Sequence, residues 1–171
     1  MKNIAGIKKI EYALASSISW LTPANNGVFD SFPEWETGAD WLELPTTYLT
    51  GDLSFVPSVG AQGFLYSIEG QAVRAKIEAE SLKTINDIYN ENLVLLAHDR
   101  NDQVWLVGSP DYPVRLTYRA AFGSGYEQRN QFSLNIVGSQ PFLPGIYDPY
   151  NYQLQNSAQY VFQNGNSFIY N

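Results

Sequence analysis

The chain has 171 residues, enough for one domain with a proper core, and its formal net charge of −7 argues against tight duplex binding. It contains no cysteine, which excludes a disulfide framework and thiolate metal sites and fits synthesis in a reducing cytosol; no apolar run has the length of a signal peptide or of a membrane span. Only 16% of residues are charged while 15% are aromatic, 12 of them Tyr, a balance that predicts extensive polar-aromatic contact surfaces rather than a bare, highly solvated monomer.

In chain order, the alternation of Ile10, Tyr12 and Leu14 with Glu11 and Ala13 predicts a strand over 7–15. Residues 16–44 hold Pro23, Asn25-Asn26-Gly27, Pro33 and Gly38 among Trp20, Phe29, Phe32, Trp35 and Trp41. This is a long loop with at most short strands, and its aromatics must pack on the same domain or on a neighbouring subunit. Thr46–Thr50 and Leu53–Val56 read as two β segments kinked at Gly51, and Gly60–Gly63 as a turn. Phe64–Glu69 is a further strand, broken at Gly70-Gln71. From 72 to 81, Val73, Ala75, Ile77 and Ala79 alternate with Arg74, Lys76, Glu78 and Glu80, a period of two that predicts a strand despite good helix formers. Leu82, Ile85, Ile88 and Tyr89 carry helical spacing, so 82–90 is the one short helix.

The interval 92–138 organises the rest. Its apolar or alternating runs 92–97, 103–108, 114–122 and 130–137 are separated by turn residues, the pattern of an antiparallel meander. Val114, Leu116, Tyr118, Ala120 and Phe122 share one face, as do Phe132, Leu134 and Ile136, so one face of each strand is buried. After Gly138 the composition breaks. Residues 139–171 hold one charge, Asp148, with eight aromatics, five Gln, five Asn and three Pro. The expected organisation is a mainly β antiparallel sandwich or barrel over 1–138, with a long acidic aromatic loop at 16–60 and one short helix, followed by an extended Asn/Gln/Tyr-rich arm over 139–171 that orders against a partner and leaves the core complete without it.

No residue pattern carries chemistry. His98, the one histidine, precedes Asp99-Arg100-Asn101-Asp102 and reads as part of a polar hairpin turn. Glu34/Glu36 and Asp40/Glu43 beside Trp35 and Trp41 have the residue types of a glycoside hydrolase, but loop spacing does not set the required carboxyl separation, and an aromatic-anchored acidic loop explains them. Gly123-Ser124-Gly125 lacks the full nucleophile-elbow pattern and is a strand connection. Asp87, Asn90 and Asp99 lack calcium-loop spacing. No catalytic, cofactor-binding or metal-ligating residue is therefore assigned, no cofactor is expected, and the chain reads as a non-enzyme. Between Lys9 and Arg74 there is no basic residue but eight acids, from Glu11 to Glu69, a surface that DNA would pass without sticking.

The segment Gly108-Ser-Pro-Asp-Tyr-Pro-Val-Arg-Leu116, the turn at 123–125, Arg129-Asn130-Gln-Phe-Ser-Leu-Asn-Ile136, Gly138, Pro144 and the opening Gly6-Ile-Lys-Lys-Ile10 resemble small structural proteins from the tail modules of Bacteroidetes phages and prophages. The resemblance spans about half the chain and leaves out 16–60 and everything after Gly145. It implies a tail-tube-like or neck/tail-ring subunit, made in the bacterial host cytoplasm and resident in the virion. Such a subunit contacts copies of itself in rings and other tail or neck proteins, around a channel through which DNA passes without specific binding and with no membrane involved. The alternative is a monomeric β-sandwich binding module for carbohydrate or another surface ligand, with Trp20, Trp35 or Trp41 as stacking platforms.

Overall fold

The computed structural model describes residues 6–21, 27–29, 32–60, 63–122, 130–148, 159–161 and 167–169. The protein is mainly β with one α-helix. In chain order the first strands are β1 (Ile7–Leu14), β2 (Ile18–Trp20), β3 (Val28–Phe29), β4 (Glu34–Trp35), β5 (Leu42–Glu43), β6 (Asp52–Gly60) and β7 (Gly63–Ala75). Helix α1 (Ala79–Asp87) follows, then β8 (Leu93–Asp99), β9 (Val104–Val107), β10 (Arg115–Ala121), β11 (Gln131–Gln140), β12 (Gly145–Tyr147), β13 (Gln159–Val161) and β14 (Ser167–Ile169). A six-stranded sheet runs β3-β12-β9-β8-β1-β5, and a four-stranded sheet runs β10-β11-β7-β6. All pairs in both are antiparallel except β12 with β3.

Two corners join the sheets. Leu93 and Val114 exchange backbone hydrogen bonds of 2.8 and 2.9 Å, and the Ile7 N–H donates to the Gly51 carbonyl at 3.0 Å. Strands β8 and β1 thereby close with β6, β7, β11 and β10 into a barrel-like unit. Its interior holds Ile10, Tyr12, Ile68, Ala72, Leu95, Leu116, Phe132, Leu134 and Ile136, with Ile85 and Ile88 from the helix side in the same cluster. The apolar run of β8 is continuous because both its faces are covered. Leu93 and Leu95 point into this core, and Val94 and Leu96 join Ala13, Ile18, Phe29 and Leu106 in a second cluster on the far face of the six-stranded sheet. The long loop supplies that far-side cover, with Trp35 and Trp41 packed against it. Phe29, Trp35 and Trp41 thus pack within the domain, through short strands only, while Trp20 and Phe32 stay exposed.

The four runs expected to form a meander are all strands, but they make two hairpins rather than one meander: β8 pairs with β9 in the six-stranded sheet and β10 with β11 in the four-stranded one. Of their expected buried faces, Val114, Leu116, Phe132, Leu134 and Ile136 are fully buried, whereas Phe122 is 74% exposed. The 123–129 connection lies outside the described residues. Other expectations need correction. Thr46–Thr50 is a turn, not a strand. Leu49 takes φ 62°, and the hydroxyls of Thr47 and Thr50 accept the Ala75 and Val73 amides at 2.7 and 3.1 Å, extending with side chains the single backbone bond from the Thr47 N–H to the Val73 carbonyl. β7 runs unbroken through Gly70-Gln71. A Cβ at Gly70 would sit 3.0 Å from the Asp52 carbonyl, so glycine there permits close approach of β6 rather than ending the strand. The strand expected over 72–81 stops at Ala75, where Lys76 turns out with φ 85°. Its core face is Ile68, Gly70 and Ala72, so Val73 and Ala75 lie on the opposite side. The alternating charges there are a clasp on the turn: Arg74 and Lys76 both bind Glu78, at 2.8 and 2.7 Å, one residue before α1. The helix accordingly begins three residues earlier than its apolar spacing implied, with Glu80 in its first turn facing the positive end of the helix dipole.

The boundary expected at 138/139 is also corrected. β11 continues to Gln140, whose buried side chain accepts the Gly108 amide at 3.0 Å and donates to the Phe142 carbonyl at 2.8 Å. β12 is an interior strand of the six-stranded sheet. At Gly145 a Cβ would lie 2.7 Å from the Gly27 carbonyl and 2.8 Å from the Phe29 ring, a tight fit that holds β3 against the sheet. Residues 139–148 therefore belong to the sandwich. Beyond them, β13 and β14 pair only with each other in the described sheets, and the remaining residues of the expected arm lie outside the described ones. Truncation before Pro141 is accordingly expected to abolish the cooperative thermal transition, whereas truncation after Asp148 keeps it. Circular-dichroism melts of the two shortened chains check this.

Candidate functional site

The residue groups singled out by the sequence do not converge. Glu34 sits in β4 opposite Trp20 of β2. Asp40 accepts the Trp41 amide at 2.7 Å, and Glu43 faces Lys9 of β1 at 3.5 Å, so this acid pair is tied to separate partners. Trp35 meets Trp41 edge-to-face at 5.2 Å, and Trp41 meets Tyr147 at 6.3 Å. Both rings are partly buried in the far-side cluster, leaving Trp20, 56% exposed, as the one open indole of the three. Gly123-Ser124-Gly125 lies outside the described residues. Asp87 ends α1, whereas Asp99 shapes the β8–β9 turn by accepting the Asn101 and Gln103 amides at 2.7 and 2.9 Å. Burial would raise the Asp99 pKa, but these amides and the Trp105 indole hold it below the ordinary value. Among the described residues no group of three or more His, Asp or Glu is placed to hold a metal ion.

The structure does assemble one charged cluster that the sequence did not announce. His98 belongs to β8 rather than to the turn, and its Nε2 lies 2.5 Å from the Glu11 carboxylate of β1. Lys9 donates to the other Glu11 oxygen at 2.8 Å and also faces Glu43. The β1–β8 register brings them together, with Lys9 opposite His98 and Glu11 opposite Glu43 of β5. Burial of Glu11 pushes its pKa up, but the hydrogen bonds from Lys9 and His98 outweigh it and hold the carboxyl below its ordinary 4.5. This network ties three strands across the sheet face.

The outer face of the four-stranded sheet is organised by charge. One row across it reads Arg115, Val137, Glu69, Ser54, and the next reads Thr117, Asn135, Gln71, Asp52. Arg119 extends the β10 side. The β10 margin is basic and the β6 margin acidic, and each is the last strand of its sheet. The acids between Glu11 and Glu69 consequently do not form one surface. Asp52 and Glu69 lie here, Glu11 and Glu43 on the other sheet, and Glu34, Glu36 and Asp40 on the loop. Past the last β7–β11 pair, Tyr66 with Gln140, the β6–β7 hairpin continues alone to Gly60 and Gly63. Val56, Val59, Phe64 and Leu65 are exposed along it. Among the described residues no helix is long and apolar enough to cross a membrane. No protein-family model, no curated protein and no solved structure matches the chain.

The depressed Glu11 pKa gives a signed expectation. A carboxyl lowered on folding adds stability above its unfolded pKa and loses it as pH falls through the folded one. Glu11→Gln is therefore expected to cost about 1 kcal/mol at pH 7, the low end for charge-assisted bonds because the group keeps some exposure. The difference from wild type should shrink as pH is lowered below 4.5, measured by denaturant titration across that range.

Proposed function

We propose that this chain is a structural subunit of a phage virion, tail-tube-like or of a neck or tail ring, which acts by assembling with copies of itself and with other tail or neck proteins around a path for DNA. The observation that supports this most is the pair of open margins of the four-stranded sheet, basic along β10 with Arg115 and Arg119, acidic along β6 with Asp52 and Glu69 beside it. Strand ends of this kind offer unpaired amides and carbonyls to a neighbouring chain. Joining β6 of one copy to β10 of the next sets opposite charges side by side, while joining like margins sets like charges together. Such a head-to-tail contact repeats, and it closes into a ring when its rotation does. The subunit performs no chemistry and needs no cofactor in this role. Its place is the virion, after synthesis in the bacterial host. The monomeric binding module has less support, because Trp35 and Trp41 are engaged in the far-side cluster and only Trp20 is left as a stacking surface.

Light scattering and electron microscopy on concentrated protein are expected to find rings or tubes, alone or with virion partners. A chain that stays monomeric under all these conditions would overturn the proposal. Duplex DNA is expected to show no measurable affinity at physiological salt, since a net charge of −7 adds repulsion on approach and few counterions are released. Micromolar binding with a steep salt slope in a fluorescence titration would contradict a passive DNA path.

A further inference from the structure

The β6–β7 hairpin is apolar on both faces where it leaves the sheet. Val59 and Phe64 are cross-strand partners on one face, 74% and 65% exposed, and Val56 and Leu65 lie on the other, 52% and 39% exposed. From Leu53 to Ile68 there is no charged residue. A tip of this kind is buried only by something that surrounds it, and a flat surface would cover one face at most. Elsewhere the chain carries an open hollow of about 420 Å³ at the start of β10, lined by Asn92, Asp111, Tyr112, Pro113, Arg115 and Val137 among others. That is a volume in the ~300–1,000 Å³ range of side-chain and ligand pockets. Its charges, Arg115 and Asp111, offset each other. Its Tyr112 ring, 42% exposed, is braced edge-on by Phe142 at 6.0 Å, and Val137 is 47% exposed.

We infer that the hairpin tip of one copy inserts into this hollow on the next copy, with Phe64 as the principal knob; the inference rests on the assembly proposed above. The sheet register supports it. Ser54, Glu69, Val137 and Arg115 share one row. Pro113 and Ser139 lie two residues past that row, and Val59 and Phe64 lie five past it in the same direction. A neighbour whose β10 is set against β6 and displaced by about four residues toward the tip therefore carries its hollow to the level of the tip, and lays residues 117–121, clear of the Leu93–Val114 corner, beside the open part of β6. The charges favour a second copy over a lipid surface. Asp52 and Glu69 flank the hairpin, and no Lys or Arg lies between Lys9 and Arg74 to meet headgroup phosphates. A contact between two different patches is heterologous, so each copy keeps one unused knob and one unused hollow until the ring closes.

That property sets the test. Phe64→Asp spoils the knob and Val137→Asp the hollow, and both residues are exposed, so thermal melts should stay close to wild type. Under conditions where the wild type assembles, each variant alone is expected to be monomeric by light scattering. An equimolar mixture should give a 1:1 dimer and nothing larger, because one intact knob meets one intact hollow. If Val137→Asp does not fold, Tyr112→Asp takes its place. Wild-type-like assembly of Phe64→Asp overturns the knob, and a mixture that stays monomeric overturns the pairing of knob with hollow; in both cases the assembly proposal itself survives. A wild type that never assembles overturns both. Pelleting of the wild type, but not of Phe64→Asp, with neutral phosphatidylcholine vesicles would assign the tip to lipid and overturn the inference.

Discussion

The reciprocal backbone pair between Leu93 and Val114, with its counterpart from Ile7 to Gly51, is the contact on which the architecture rests. Neither involves a side-chain hydrogen bond, yet together they turn two open sheets into a closed barrel-like unit. An open sandwich leaves backbone groups at both margins of both sheets. Here the corners consume those groups at the beginnings of β1, β6, β8 and β10. Among the described residues, free margin is left further along β6 and β10 and on the two-residue end strands β3 and β5. Gly108, with φ 82°, shapes the same corner, because a Cβ there would lie 3.3 Å from both the Leu93 and the Tyr112 carbonyls.

The second organising constraint is that the six-stranded sheet is covered twice. A sandwich needs only one buried face per sheet, and the far face could stay polar. In this chain Val94, Leu96 and Leu106 make it apolar, and the loop carrying Trp35 and Trp41 is bound to cover it. The cover stops at the β1–β5 side, where Lys9, Glu11, His98 and Glu43 take over the face with ion pairs. Apolar cover and charged network are two solutions to the same exposure, side by side on one sheet.

The sequence was legible where period and burial agreed. β10 and β11 follow from alternation, because each has one wetter and one dry side, whereas β8 reads as a continuous apolar run because it is dry on both. It was less legible where a tertiary contact changed what a residue was for. Gly70 reads as a breaker but serves the close approach of β6. Arg74, Lys76 and Glu78 read as the polar side of a strand but clasp a strand-to-helix turn. Thr47 and Thr50 read as strand formers but extend a single backbone bond with their hydroxyls. Low charge after Gly138 reads as an arm, although its first residues complete a sheet whose other strands come from far earlier in the chain. The charged cluster was invisible for a related reason. Glu11 and His98 meet only through the β1–β8 register, and nothing local to either residue signals the other. The opposed margins of β6 and β10 likewise exist only once the order of the four-stranded sheet is known.

The parallel pairing of β12 with β3 has a consequence for the order in which the molecule is made. Val28 stands opposite Ile146, and Phe29 opposite Tyr147. As the chain leaves the ribosome, the early strand has no neighbour in the sheet until almost all of the sandwich has been translated. Closing so long a segment carries its entropic cost before the contact can repay it, which places this step late in folding. A nascent subunit therefore holds an unfinished sheet margin beside Phe29 for most of its synthesis. Only a chain made through Tyr147 presents that margin sealed, with β12 laid along Val28 and Phe29.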